Sequence, residues 1–375
     1  MQLETIQNEQ MVTSAPIPRQ RRYDVDWLRT LALGLLILYH VVVSFQSWAF
    51  SIGFIQNYPS LDETWILMSL LNVWRIPILF LISGMGVRFA MERRDWKQLL
   101  KDRTVRILLP FVFGFFFIAP ISYYIYAQYY QEVGASFGIR AVYLPNPGHL
   151  WFLANIFVYV LVFLPVFTYF KNRPDNLILR TVSRMLQWPG AIFLFALPIM
   201  LEAWLVNPDF YSAYAMTAHG FWLGLLCFFI GYVFIAVNDV FWSAVADTRR
   251  IALVLGLILF LTRFLYFAFE NVPNWLTALE SMSWMLAILG FGSIYLNKPS
   301  SLLRYLSKAV YPVYIIHLPI QYALSYWLLP SPVAPYWKLL ALFTGTLILC
   351  LLIYELILKR INWIRPLFGM KLKTG

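Results

Sequence analysis

Apolar residues dominate the chain in long runs separated by short polar stretches. Ten runs are long enough to cross a bilayer as helices, at roughly 28–50, 64–88, 107–127, 150–170, 188–205, 219–237, 251–269, 275–296, 309–328 and 338–358. Some 20 apolar residues, at 1.5 Å each, match a hydrocarbon core of about 30 Å. Proline falls inside several runs, at Pro77, Pro110, Pro120, Pro198, Pro312 and Pro319. Packed membrane helices tolerate this where neighbours satisfy the freed backbone groups. No polar stretch is long enough for a soluble domain, and no internal repeat is visible. The pattern predicts an all-α integral membrane protein in three parts. A disordered polar tail spans 1–22, a bundle of about ten transmembrane helices spans 23–360, and a basic tail spans 361–375.

The cations give that bundle a direction. Of the 29 Lys and Arg residues, 24 lie in the two tails and in alternate loops; Arg29, at the start of the first run, makes 25. Only Arg75, Arg140, Arg263 and Lys338 lie elsewhere. This positive-inside asymmetry predicts that both termini are cytoplasmic. It also accounts for the formal charge of +11 without any nucleic-acid partner. Composition agrees: 61% of residues are hydrophobic and 13% charged, against roughly 45–50% apolar in soluble domains. Cys227 and Cys350 both sit in apolar runs and read as small buried hydrophobes. The polar start has no small-residue cleavage site beside an apolar run, so the first run reads as an uncleaved span.

The informative residues are those that do not belong in lipid. Arg29 and His40 are eleven residues apart on the first run, almost three helical turns, and so share a face. With Arg29 at the inner boundary, His40 lies about 16 Å deeper, near mid-bilayer. Rise per residue brings Arg75, Arg263 and His317 to a similar depth, with Glu280 slightly outward. A charge at that depth costs roughly 2.5–3.5 kcal/mol on insertion scales. Several such groups at one level point to a shared polar cavity inside the bundle. An ion pair between Arg75 and Glu280 or Glu63 is the purely structural alternative.

Five stretches carry a family resemblance. Asp26-Trp27-Leu28-Arg29, ten residues and then His40 resembles the Arg-x10-His signature of the membrane acyltransferase 3 family. Arg75-Ile76-Pro77 through Ser83-Gly84 is similar to the family's second span, and Arg103-Thr104-Val105-Arg106 through Pro110 to its basic loop. Gly148-His149-Leu150-Trp151-Phe152-Leu153 and Tyr311-Pro312 through His317-Leu318-Pro319 resemble two later elements. All five occur in order between about residues 22 and 358. Within the family, the arginine before Pro77 and Leu279-Glu280-Ser281 resemble the glucans biosynthesis protein C branch, described as succinylating osmoregulated periplasmic glucans. Ile316-His317 stands where that branch has two adjacent histidines.

The resemblance implies an O-acyltransferase of the bacterial inner membrane, with no permanently bound cofactor or metal. Acyl-CoA (succinyl-CoA favoured, acetyl-CoA next) is the donor, and a glycan outside the cytoplasm is the acceptor. In that reading Arg29, Arg103 and Arg106 hold CoA phosphates. His40 is the general base and Glu280 orients or stabilises its imidazole; an acyl-His intermediate is the other route. Arg75, with Arg263 as second candidate, meets the succinyl carboxylate. His149 and Trp151, expected at the outer entrance, and His317 bind substrate. The competing class is a transporter or flippase for a glycan or amphiphile, which also buries ionisable groups at the midplane.

Overall fold

The computed structural model describes residues 21–134 and 138–373. The polar tail expected over 1–22 falls outside them except for Arg21 and Arg22. Among the described residues all regular structure is helical. The helices are α1 (Tyr23–Val43), α2 (Trp65–Met91), α3 (Trp96–Arg103), α4 (Leu109–Phe117), α5 (Ala119–Glu132), α6 (Trp151–Asn172) and α7 (Leu177–Leu186), followed by α8 (Ala196–Val206), α9 (Ala218–Ala236), α10 (Asn238–Leu261), α11 (Asn274–Tyr295), α12 (Ser301–Leu328) and α13 (Pro335–Ile353).

Seven helical segments are long and apolar enough to cross a membrane: Tyr23–Val43, Asp62–Met91, Trp96–Glu132, Gly148–Asn172, Ala218–Ala236, Asn274–Tyr295 and Pro335–Leu358. The other three apolar runs are also helical but fall short, each for a visible reason. The run 188–205 yields only the shorter apolar helix Ala191–Val206. The run 251–269 is the second part of α10, which continues through the wider turn Thr262–Tyr266 and carries Arg263 inside. The run 309–328 belongs to α12, where His317, Gln321 and Ser325 are buried among the apolar residues.

Burial sorts the helices into a centre and a shell. In α2 and α11, 72% of the most apolar window is buried, against 22% in the segment containing α13. The outward faces of α13 and α4 carry exposed leucine, isoleucine and phenylalanine, among them Ile348, Leu352 and Phe117. Such faces suit lipid, where apolar surface needs no protein cover. At the centre α2 and α9 lie backbone against backbone. A Cβ on Gly84 would stand 1.9 Å from the Phe228 carbonyl oxygen, and one on Gly231 would stand 1.9 Å from that of Leu81. Only hydrogen fits at either position, as small-residue packing between membrane helices requires.

Candidate active site

A cavity of about 910 Å³ runs between α1, α2, α6 and α12. Its long axis follows from the two antiparallel helices α1 and α2. At one level lie Arg29 of α1 and Gly86 of α2; the Arg29 Nη2 is 3.5 Å from where a Gly86 Cβ would stand. At the other level lie His40 of α1 and Arg75 of α2, each eleven residues away. Eleven residues of helix span about 16 Å. The cavity therefore joins a basic end, with Arg29, Arg94, Arg103, Arg106 and Lys308, to a chamber holding His40, Arg75 and His149.

The chamber's histidines are held by a chain of hydrogen bonds with a direction. His317 Nδ1 lies 2.7 Å from the Tyr314 carbonyl oxygen. A carbonyl can only accept, so Nδ1 carries the proton, and in the neutral ring Nε2 is left as an acceptor. That Nε2 is 3.0 Å from His40 Nδ1, which therefore donates. The two rings stack at 5.2 Å between centroids and 14° between planes. The proton on His40 is thus fixed at Nδ1, and its Nε2 keeps a free lone pair with no hydrogen bond among the described residues. Gln321 Nε2 donates to the His40 carbonyl at 2.8 Å and ties α12 to α1 at this level.

Two prolines build the walls. Pro319 has no N–H for the carbonyl four residues earlier, that of Ile315. His149 Nε2 meets that freed oxygen at 3.1 Å and the Tyr314 oxygen at 3.1 Å. Tyr314 Oη donates back to the His149 carbonyl at 2.6 Å. Pro77 frees the Val73 carbonyl in the same way, and Tyr214 Oη donates to it at 3.0 Å. Both phenol and imidazole line the cavity.

Arg75 is 2% exposed. Its guanidinium lies over the Tyr39 ring at 3.8 Å, and Nη2 donates to Asn72 Oδ1 at 3.0 Å. Its Nε and Nη1 have no hydrogen-bond partner, and it takes part in no ion pair among the described residues. A buried cation with spare donors beside a cavity has the chemistry to receive an anion.

An acyltransferase domain family model matches residues 22–355. The chain belongs to the acyltransferase 3 family. No curated protein and no solved structure matches it significantly. The acyltransferase is a membrane enzyme.

Glu280 is not beside His40. It takes Arg263 instead, with Nε at 2.7 Å and Nη2 at 2.9 Å, while Nη2 also donates to the Ser69 carbonyl at 2.9 Å. Neither residue lines the cavity. Arg263 is buried in the wide turn Thr262–Tyr266 that continues α10. The ring nitrogen expected to meet Glu280 meets His317. Nor does Arg75 pair with Glu280 or Glu63; Glu63 instead accepts from Tyr336 Oη. His149 is buried behind His317, with centroids 4.9 Å apart, and does not stand at an outer entrance. Gly148, at φ +45°, turns the chain there, and a Cβ would stand 2.8 Å from Ala119 Cβ. Trp151, Arg29, Arg103 and Arg106 all line the cavity.

Sequence reasoning overlooked several lining residues. Tyr39 and Asn72 had a signal: one precedes His40, the other lies one turn before Arg75. Tyr214, in the α8–α9 connection, and the C-terminal Arg365, Lys371 and Lys373 had none beyond polarity.

Proposed function

We propose that this acyltransferase takes an acyl group from acyl-CoA on the cytoplasmic side of the bacterial inner membrane and transfers it to a hydroxyl of a glycan on the other side. Ten spans with both termini cytoplasmic are part of the proposal, supported by the alternation of cations along the chain. The carrying observation is the continuous cavity that joins the arginines of its basic end to the lone pair of His40.

In this reading the CoA phosphates stay among Arg29, Arg103 and Arg106 while the pantetheine arm runs inward between α1 and α2. His40 Nε2 takes the proton of the acceptor hydroxyl as its oxygen bonds to the thioester carbon. The C–S bond then breaks, and the departing CoA thiolate recovers that proton from His40. His317 steadies the cation formed in between, because its Nε2 accepts from His40 Nδ1. Arg75 meets the free carboxylate of a succinyl group, which favours succinyl-CoA over acetyl-CoA and supports a glucan succinyltransferase type.

The test uses the full-length enzyme in nanodiscs with succinyl-CoA and a β-glucan, reading thiol release and glycan mass. A gain of one succinyl mass with one thiol supports the reading, and His40→Gln should lower the rate by about 10²–10⁴. Glycan crossing without thiol release would mark a transporter. Near-normal transfer by a folded His40→Gln variant would remove the base.

A further inference from the structure

The sequence beyond the family domain is not a free tail. After residue 355, where the acyltransferase match ends, the chain folds back as a closed loop over the basic end of the cavity. Arg365 pins it from within: Nη1 donates to the Lys359 carbonyl at 2.9 Å and Nε to the Lys371 carbonyl at 2.7 Å. Asn362 and Lys373 close it further, Lys373 N donating to Asn362 Oδ1 at 2.8 Å. The loop is seated on the bundle through Phe368, which is buried edge-on to Phe113 at 5.6 Å. Gly369 lies so close that a Cβ would stand 2.1 Å from the Tyr311 ring and 3.1 Å from the Arg106 carbonyl oxygen. Its φ of +68° independently favours glycine.

This loop brings like charge to like charge. Lys359, Arg365, Lys371 and Lys373 join Arg29, Arg94, Arg103, Arg106 and Lys308 around one opening, and among the described residues the one acid lining it is Asp102. Asp102 is already shared by Arg94 at 3.5 Å and Arg106 at 3.1 Å, and Lys359 is held by Glu355 at 2.6 Å. The Nε of Arg103 is buried without a hydrogen-bond partner among the described residues. Gathering these cations is unfavourable unless an anion of several charges sits among them. The anchors at Phe368, Gly369 and Arg365 hold the loop against that repulsion.

We infer that the C-terminal loop, Lys359–Lys373, completes a polyphosphate-binding mouth through which this enzyme reads the nucleotide end of its donor. The inference rests on the acyl-CoA reading above. It adds that part of the donor site comes from sequence outside the family domain.

The experiment measures binding of CoA itself and turnover, using the full-length enzyme in nanodiscs of phosphatidylcholine alone. Two thioesters are compared, acyl-CoA and the phosphate-free acyl-N-acetylcysteamine. The double variant Lys371→Gln/Lys373→Gln changes only exposed side chains. It should weaken CoA binding and raise KM for acyl-CoA roughly 3- to 30-fold, with a shallower dependence on salt. The phosphate-free thioester should lose less than twofold. Gly369→Val, which lifts the loop off Tyr311, should produce the same split. Unchanged CoA affinity in both variants overturns the inference while leaving the donor reading intact. Equal losses with both thioesters also overturn it, since the loop would then be structural. A charge effect that emerges only when anionic lipid is added would assign the cations to headgroups and overturn it too. Failure of the wild-type enzyme to bind CoA at all removes both this inference and the donor reading.

Discussion

His317 offers the sharpest test of the proposal that His40 is the base. Substituting His317→Phe keeps an aromatic ring where the imidazole stacks on His40, with centroids 5.2 Å apart, but removes the nitrogen that accepts from His40 Nδ1 at 3.0 Å. Two losses follow. The proton on His40 is no longer confined to Nδ1, so part of the population carries it on Nε2 and cannot act as base. Once His40 takes the substrate proton, the missing bond is a charge-assisted one, worth about 1.5–3 kcal/mol. At about 1.36 kcal/mol per tenfold this is roughly a 10- to 150-fold loss in kcat. Most of that range lies below the 10²–10⁴-fold loss expected for His40→Gln. Thiol release under saturating donor and acceptor measures it, with KM for acyl-CoA unchanged because His317 is far from the basic end. In the smaller variant His317→Ala, added imidazole should restore part of the rate by occupying the vacated position. The reasoning is wrong if a folded His317→Phe enzyme retains more than half of wild-type kcat. It is also wrong if His317→Phe is as inactive as His40→Gln, for His317 would then be the base.

Three further outcomes follow from other parts of the molecule. Arg75→Gln should lower kcat/KM for succinyl-CoA at least tenfold more than for acetyl-CoA, because only the former presents a carboxylate to the two unbonded guanidinium nitrogens; equal losses would make Arg75 structural. Glu280→Ala strands the buried Arg263 and should destabilise the fold by about 3–5 kcal/mol, read as a drop in Tm in detergent. The double change Arg263→Met/Glu280→Leu should recover most of that Tm, and failure to do so would mean the pair holds more than itself in place. Gly231→Val forces side-chain atoms into the Leu81 carbonyl and should destabilise by about 1–3 kcal/mol or more; an unchanged Tm would show that α2 and α9 can slide apart freely.

The helical membrane fold was legible because it rests on the length of apolar runs, which is a local property. All ten apolar runs became helix. Seven of them are long and apolar enough to cross a membrane, while α12 trades apolarity for His317, Gln321 and Ser325. Arg29 and His40 were legible as a pair because one helix carries both, and the 3.6-residue period fixes their relation. Pairings across helices were not. Depth alone cannot tell that Glu280 faces Arg263 while Arg75 faces Tyr39, since rotation about each helix axis decides it.

The prolines of α2 and α12 help to build the cavity wall. In the sequence Pro77 and Pro319 read only as tolerated interruptions. Each removes one N–H, and the carbonyl four residues earlier must find another donor. In α12 that donor is His149 and in α2 it is Tyr214. Neither partner is close in sequence, so the loops that bring them, around Gly148 and between α8 and α9, are positioned by the carbonyls they satisfy. The unbonded backbone oxygen is a fixed point, and the cavity wall is assembled against it. Pro319→Ala should therefore loosen His149 while leaving the stacked pair of His40 and His317 in place, because it returns the Ile315 carbonyl to the helix. A kcat loss below about fivefold with a lowered Tm would agree, since one net hydrogen bond is worth about 0.5–1.5 kcal/mol. A loss as large as that of His317→Phe would instead place His149 in the proton path.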